Sequence, residues 1–497
     1  MGGGLPGRGG SGLDADGRAM REQPRWRWQV VGVTLLAAAL RLVGLGSKSF
    51  WFDECFTYTV TLAPLKNSLE ALLVAGIYSP LYFLLLRPMT ALAGTSEYAF
   101  RFLSAAFGLL SVPLIYRLGC RLADPSTGAV AALLLAVCPF HIWYSQDART
   151  YAPMLFFGLA AMSCFVLLLR GHRRWGSFAL YSGLAYLMHY AAFSLLYVQL
   201  VHLLPWLRQG RLLRRWFLVQ VAAAIPLAPW LALYAIHGIR PAGLDWIPRP
   251  SLLAPLYTLW NFTTASAETV TPLVGILAIG TGLVFLRGLY PWDQARRLLV
   301  WWLALPVGFL LLLSLRRPYY VDRYLMASLP AYLLLLAMGI TARRGGVWRV
   351  LAAAIVLAAM AWGTARLYTD PYFAKEAWRE ATAAVEADLE PGDVVALQDE
   401  ETLIGTSVYR TREWPYVVLE PGGESGMLKD AAARYERVWL VWRSPRESNH
   451  RISKSAPFDI FAEATPPVRA WLAAHREQVA LHLQLPGLSV VRVDGRE

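Results

Sequence analysis

From Trp28 to about Arg366 the chain alternates long apolar runs with short polar turns rich in arginine. A hydrocarbon core about 30 Å thick takes roughly 20 helical residues to cross. The pattern predicts eleven spans, at 28–46, 98–118, 127–144, 149–169, 176–190, 191–207, 216–236, 270–287, 297–315, 323–342 and 347–366. The hairpin at His189-Tyr190 gives the two shortest. One further apolar stretch, Ser79–Gly94, is interrupted by Arg87-Pro88 and reads as a surface or re-entrant helix. Residues 47–97 then form one large first external loop.

Beyond Asp370 the pattern changes. Ala374–Glu390 reads as an amphipathic helix, Pro391-Gly392-Asp393 as a turn, and Val394–Leu397, Arg437–Arg443 and Leu488–Val493 as strands. The predicted fold class is an α-helical polytopic membrane protein with a small C-terminal α/β extracytoplasmic domain over 370–497. Residues 1–24 bury too little apolar surface to order and are expected to be a disordered cytoplasmic tail. No repeat of solenoid length is visible.

Composition agrees with the pattern: of 497 residues 56% are hydrophobic and 16% charged, outside the soluble range. The formal charge of +13 raises nucleic acid as a partner, but the arginines sit in turns rather than on one face, which argues against it. With the N-terminus inside and Ser79–Gly94 not crossing, the cytoplasmic turns hold 15 Arg against 6 in the alternating ones, as the positive-inside rule requires. This orientation puts the C-terminal domain outside, and the expected location is the plasma (inner) membrane. Cys55, Cys120, Cys138 and Cys164 have no metal-like spacing.

Three clusters fall on that outer face. Trp51-Phe52-Asp53-Glu54 sets two carboxylates among aromatics, fit for a general base or a divalent cation such as Mg²⁺ or Mn²⁺. His141 to Arg149, with Tyr144, Gln146 and Asp147, ends in a guanidinium fork suited to phosphate. The turn 316–323 carries Arg316, Arg317, Tyr320 and Arg323 and calls for an anion. His189-Tyr190 offers hydrogen bonds to a sugar, and Arg41 and Arg101 complete an expected basic rim. Solvated acids, an Asp147–Arg149 pair and phospholipid headgroups are the plainer readings, and the residues alone leave both sets open.

Trp51-Phe52-Asp53-Glu54, Ser79-Pro80-Leu81-Tyr82, Tyr144 to Tyr151, Asp322-Arg323-Tyr324-Leu325 and Leu329-Pro330-Ala331-Tyr332 together resemble the multi-spanning glycosyltransferases of the C fold class. That group includes protein O-mannosyltransferases, the lipid A aminoarabinose transferase and Rgt-type enzymes. The resemblance covers roughly 40–400. It implies an inverting enzyme that moves a sugar from a polyprenyl-phosphate donor to a hydroxyl acceptor. Asp53 would be the base, Arg149 and Arg323 would contact the phosphate, and Glu54, Asp147 and Tyr82 would support the site. Two departures stand out: Tyr78-Ser79-Pro80 where many relatives have His-Pro-Pro, and Asp147 where Glu is commoner. A transporter of lipid-linked sugars would need mid-membrane charges and repeat symmetry, which are not seen; a non-catalytic scaffold would leave Asp53 far from Arg149.

Overall fold

A computed structural model describes residues 24–76, 79–206, 210–237, 247–265, 271–342, 346–443 and 465–495. The expected tail at 1–24 lies outside the described residues except for Pro24, as do Tyr78 and part of the 237–269 loop. The membrane domain contains helices α1 (Pro24–Leu42), α2 (Phe52–Leu62), α3 (Leu65–Ala75), α4 (Leu81–Ala93), α5 (Glu97–Leu122), α6 (Pro125–Val137), α7 (Pro139–Ser145), α8 (Tyr151–Leu169) and α9 (Trp175–Met188). It continues with α10 (Ser194–Leu203), α11 (Gly210–Ala224), α12 (Ala228–Ile236), α13 (Ala254–Thr264), α14 (Pro272–Gly288), α15 (Gln294–Ser314), α16 (Leu329–Thr341) and α17 (Gly346–Thr369).

Among the described residues six helical stretches are long and apolar enough to cross a bilayer: α5, α8, Gly210–Ile236, α15, Asp322–Thr341 and α17. A seventh is bent by 57° between α6 and α7. The other four expected spans correspond to shorter helices, α1, α9, Tyr190–Leu203 and α14, so among the described residues fewer than eleven helical stretches have the length of a full crossing. Helices α8 and α16 are buried on nearly every side, the expected fate of a helix apolar all round in the middle of a bundle. Gly288 of α14 and Gly339 of α16 let two backbones meet: a Cβ at either would collide with the carbonyl of Leu335 or Val284.

The bend follows from Cys138-Pro139. Proline has no N–H to continue the ladder and fits the first turn of a new helix. The carbonyls this leaves are claimed by distant residues: Arg41 donates to Leu135 O and Ala136 O, each at 2.9 Å, and Thr364 Oγ1 to Val137 O at 3.0 Å. Arg41, expected on the outer rim, is instead fully buried and also donates to His141 Nδ1 at 2.7 Å. The carbonyls at the break outcompete water for it.

Helix α4, only 13 residues long, spans about 20 Å and falls short of the hydrocarbon thickness. Its Arg87 donates to Thr61 O at 2.9 Å and Ala63 O at 2.8 Å, capping the end of α2, and Tyr82 Oη meets Ser104 Oγ at 2.8 Å near the start of α5. Helix α4 therefore packs beside the other helices of the first loop.

The C-terminal domain holds α18 (Trp378–Asp388), β1 (Asp393–Leu397), α19 (Glu400–Tyr409), β2 (Tyr416–Val418), α20 (Glu424–Arg434), β3 (Arg437–Arg443), α21 (Pro466–Ala474), β4 (Val479–Leu485) and β5 (Leu488–Asp494). Its sheet has the order β2-β1-β3-β5-β4, with β1 parallel to β2 and β3 and the remaining pairs antiparallel. The predicted helix at Ala374–Glu390 starts four residues late. Residues 374–377 stay out of the helix because the Lys375 and Glu376 side chains and the Ala377 N–H, bonded to Pro486 O at 2.9 Å, are tied elsewhere. The domain rests on the first loop: Phe50 N donates to Tyr409 Oη at 2.8 Å, Tyr409 Oη to Glu97 at 2.8 Å, and Arg379 N to Ser49 Oγ at 3.1 Å.

Candidate active site

The site grows from the first turn of α2. Trp51 is extended at the N-cap, and Glu54, three positions on, accepts weakly from the Trp51 N–H at 3.4 Å. Carboxylates in a first helical turn suit the positive end of the helix dipole. The helical turn also sends the two adjacent acids in different directions. Asp53 keeps 15% of its side chain exposed, and Glu54 keeps none.

Glu54 is saturated. Arg101 Nε reaches Oε1 at 2.8 Å and Nη2 reaches Oε2 at 2.7 Å; Ala148 N donates to Oε1 at 2.8 Å, and Lys375 Nζ to Oε2 at 2.9 Å. A carboxylate offers about four lone-pair directions, so none remains for a cation. The Asp53-Glu54 pair therefore does not fit a divalent metal. Among the described residues no group of three His, Cys, Asp or Glu side chains gathers as metal ligands would. Burial pushes the Glu54 carboxyl up, but Arg101, Lys375 and the donated hydrogen bonds outweigh it and hold it at about 2. Arg101 spends its other N–H groups on the carbonyls of Leu45, Lys48 and Ser49 at 2.7–2.9 Å.

Asp53 faces Arg149, whose Nη2 lies 3.5 Å from Oδ2 and whose Nη1 donates to the Asp53 carbonyl at 3.1 Å. The Arg149 backbone is fixed by Ser104 Oγ, which donates to its carbonyl at 2.8 Å and is itself bonded to Tyr82. Asp147, fully buried, pairs through Oδ1 with Lys375, while its Oδ2 has no partner among the described residues. Burial raises the Asp147 carboxyl, Lys375 pulls it down and Glu54 pushes it up again, and the net direction is upward.

An aromatic wall runs alongside. Ring centres of Tyr144 and Tyr151 are 5.1 Å apart, Tyr151 and His189 5.5 Å, and His189 and Tyr324 5.5 Å. The Arg323 guanidinium stands 5.9 Å from the Tyr324 ring and 6.0 Å from that of Trp51. Its turn is tethered by Asp322, which accepts from Thr258 at 2.5 Å and Asn261 at 2.6 Å. Tyr320 Oη bonds Thr258 at 2.8 Å. His189 Nδ1 accepts from Ala191 N at 3.0 Å, so the ring is neutral; burial, Arg149 and Arg323 hold it down at about 3.

Tyr190 and Tyr324 also line an apolar groove of about 930 Å³ between α10, α11 and α15. Its lining follows α11 from Gly210 to Ala224, a length of about 21 Å.

Asp53 thus pairs with Arg149, Glu54 with Arg101, and Asp147 joins Glu54 through Lys375, while Tyr82, Tyr144, His189 and Arg323 stand beside this cluster and Tyr190 lines the groove. Gln146 turns its amide to the carbonyls of Leu40 and Arg41 at 3.3 Å, at the end of α1. Arg316 is exposed and Arg317 half-buried at the end of α15. Lys375 and Ser104 were not anticipated. A signal for Lys375 exists, since it is one of five lysines in a chain with 42 arginines and falls just after the last span.

The sequence of residues 56–233 matches the family model for dolichyl-phosphate-mannose-protein mannosyltransferase, starting just after Asp53 and Glu54. By sequence, no curated protein matches the chain. In structure the chain is similar to ArnT from Cupriavidus metallidurans in the apo state, with a TM-score of 0.58 at 12% identity over 93% of this chain and 97% of that one. The same enzyme bound to undecaprenyl phosphate gives a TM-score of 0.57 at 12% identity and the same coverage. The Archaeoglobus fulgidus oligosaccharyltransferase in its apo form gives 0.51 at 11% identity over 85% of this chain and 70% of that one. The long helices, the first-loop helices and the small C-terminal sheet together are those of a multi-pass membrane protein with the C-type glycosyltransferase fold.

Proposed function

We propose that the chain is an inverting glycosyltransferase that moves a sugar from a polyprenyl-phosphate donor to a hydroxyl acceptor at the outer face of the plasma membrane. One observation carries the reading. Of two adjacent acids only Asp53 reaches open space, and it stands beside Arg149 with Arg323 nearby, where an apolar groove meets the aromatic wall. The groove suits an isoprenoid chain that ends in a phosphate. The matched family model and the ArnT complex with undecaprenyl phosphate support a lipid-linked donor.

In this reading the acceptor hydroxyl gives its proton to Asp53 as its oxygen forms a bond to the anomeric carbon. The bond from that carbon to the phosphate oxygen breaks, and its electron pair leaves with the polyprenyl phosphate. Charge grows on that oxygen in the transition state, so preorganised Arg149 and Arg323 lower the barrier more than they tighten ground-state binding. Tyr144, His189 and Tyr324 form a surface for the sugar. Glu54 and Arg101 are read as scaffold, since their hydrogen-bonding capacity is spent on each other and on the protein, and Gln146 and Tyr320 likewise hold α1 and the Asp322 turn.

The test incubates purified protein with defined polyprenyl-phosphate sugars, with and without EDTA, and measures released polyprenyl phosphate. Wild type is expected to release it and Asp53→Asn to release none while remaining folded. Full release by Asp53→Asn refutes the assignment of the base. Absence of release from every donor favours a flippase or a scaffold.

A further inference from the structure

We infer that Lys375-Glu376, at the entrance to the C-terminal domain, is a positioning clamp that holds the first turn of α2 so that Asp53 faces Arg149. The C-terminal domain is then a working part of the transferase. This inference rests on Asp53 acting as the base.

After α17 the chain makes a short turn at Pro371–Phe373 and then runs extended into the gap between the start of α2 and the segment 146–148. Lys375 is 6% exposed. Its ammonium donates to Glu54 Oε2 at 2.9 Å, to the Gln146 carbonyl at 3.2 Å and to Asp147 Oδ1, one acceptor for each of its three N–H bonds. Three converging acceptors suit a compact ammonium better than the planar fork of arginine. Glu376, also 6% exposed, faces the other way: its Oε2 accepts from the Phe52 N–H at 2.7 Å and from the Trp378 indole at 2.8 Å. Arg443 of β3 lies 3.5 Å from Glu376 Oε1 and over the Phe52 ring at 5.1 Å.

The residue before Asp53 is therefore gripped by Glu376 and the residue after it by Lys375. Both grips come from the second domain. Lys375 acts on Asp53 through Glu54, so it is a positioning residue. A buried ion quartet of Glu54, Asp147, Arg101 and Lys375 stabilises little compared with apolar packing of the same volume. What it contributes is a fixed direction for α2.

The experiment measures steady-state kinetics on full-length protein, normalised to folded molecules, for Lys375→Met, Lys375→Arg, Glu376→Gln and the double variant Lys375→Met/Asp147→Asn. The clamp predicts that Lys375→Met lowers kcat by about tenfold or more with donor KM within about twofold, the signature of a loss felt in the transition state. Lys375→Arg is expected to recover part of that kcat. The double variant restores charge balance without the three bonds, so its kcat stays low; recovery there would show that Lys375 only neutralises charge and would overturn the clamp. Wild-type kcat in Lys375→Met, or a rise in KM alone, would also overturn it. Should Lys375→Met fail to fold, Glu376→Gln keeps the shape while weakening the hold on Phe52 and must show the same kcat-selective loss. Activity in Asp53→Asn would remove the underlying reading, whereas an inactive Asp53→Asn beside a fully active Lys375→Met sinks the clamp alone.

Discussion

Asp53 and Glu54 are neighbours of the same chemistry, yet removing their charges should have opposite consequences. Glu54 has no exposed side-chain surface and balances two buried cations, Arg101 at 2.7 Å and Lys375 at 2.9 Å. Glu54→Gln keeps the volume but leaves those cations with only Asp147 to balance them. Breaking one side of a buried ion pair costs about 3–5 kcal/mol. Asp53 keeps part of its surface exposed and its contact to Arg149 is a single long 3.5 Å, so Asp53→Asn should cost less stability than Glu54→Gln. Its effect falls on the rate instead, where loss of a general base removes about 100- to 10,000-fold. Thermal unfolding in detergent, followed together with release of polyprenyl phosphate per folded molecule, separates the two. A wild-type melting temperature for Glu54→Gln, or a large fall for Asp53→Asn with its rate intact, would refute the division of roles.

The neutral His189 ring should make the fold acid-sensitive. Its folded value of about 3 lies below the unfolded value of about 6.5, so the stability it confers is complete above pH 6.5 and is lost as pH falls toward 3. His189→Asn should flatten the melting temperature over that window, and an unchanged slope would count against it. If the groove between α10, α11 and α15 takes the isoprenoid chain, shortening the donor lipid to a few isoprene units should raise KM and leave kcat nearly constant. Equal KM values across chain lengths would argue against that occupant. Gly339→Val should lower stability by about 1–3 kcal/mol or more by forcing α14 from α16, measurable as a fall in melting temperature.

Much of the architecture was legible because it follows from local rules. Hydrophobic run length marked out the membrane domain, and Ser79–Gly94, read as a short helix from its length and Arg87-Pro88, forms the 13-residue α4. Strand β3 was placed at Arg437–Arg443, its observed bounds, since a buried apolar run between turns has few other uses. The bend at Cys138 was missed even though Pro139 signals one. A proline inside an apolar run kinks or breaks a span depending on whether the freed carbonyls find donors, and here Arg41 and Thr364 supply them from helices far along the chain.

By itself the sequence determined a polytopic membrane protein with a small α/β domain, and it singled out Asp53, Arg149 and Arg323 as candidates, which the fold brings near one another. It did not determine which of Asp53 and Glu54 faces open space. That choice depends on the phase of α2 against Arg101, 47 residues away, and Lys375, 321 residues away. Nor did it show that the second domain enters the site, because Lys375 was counted into a helix that in fact begins at Trp378. Length, hydropathy and capping are properties of neighbouring residues and can be read along the chain. The pairing of buried charges is a property of converging elements, set by desolvation that exists only once the tertiary structure has formed.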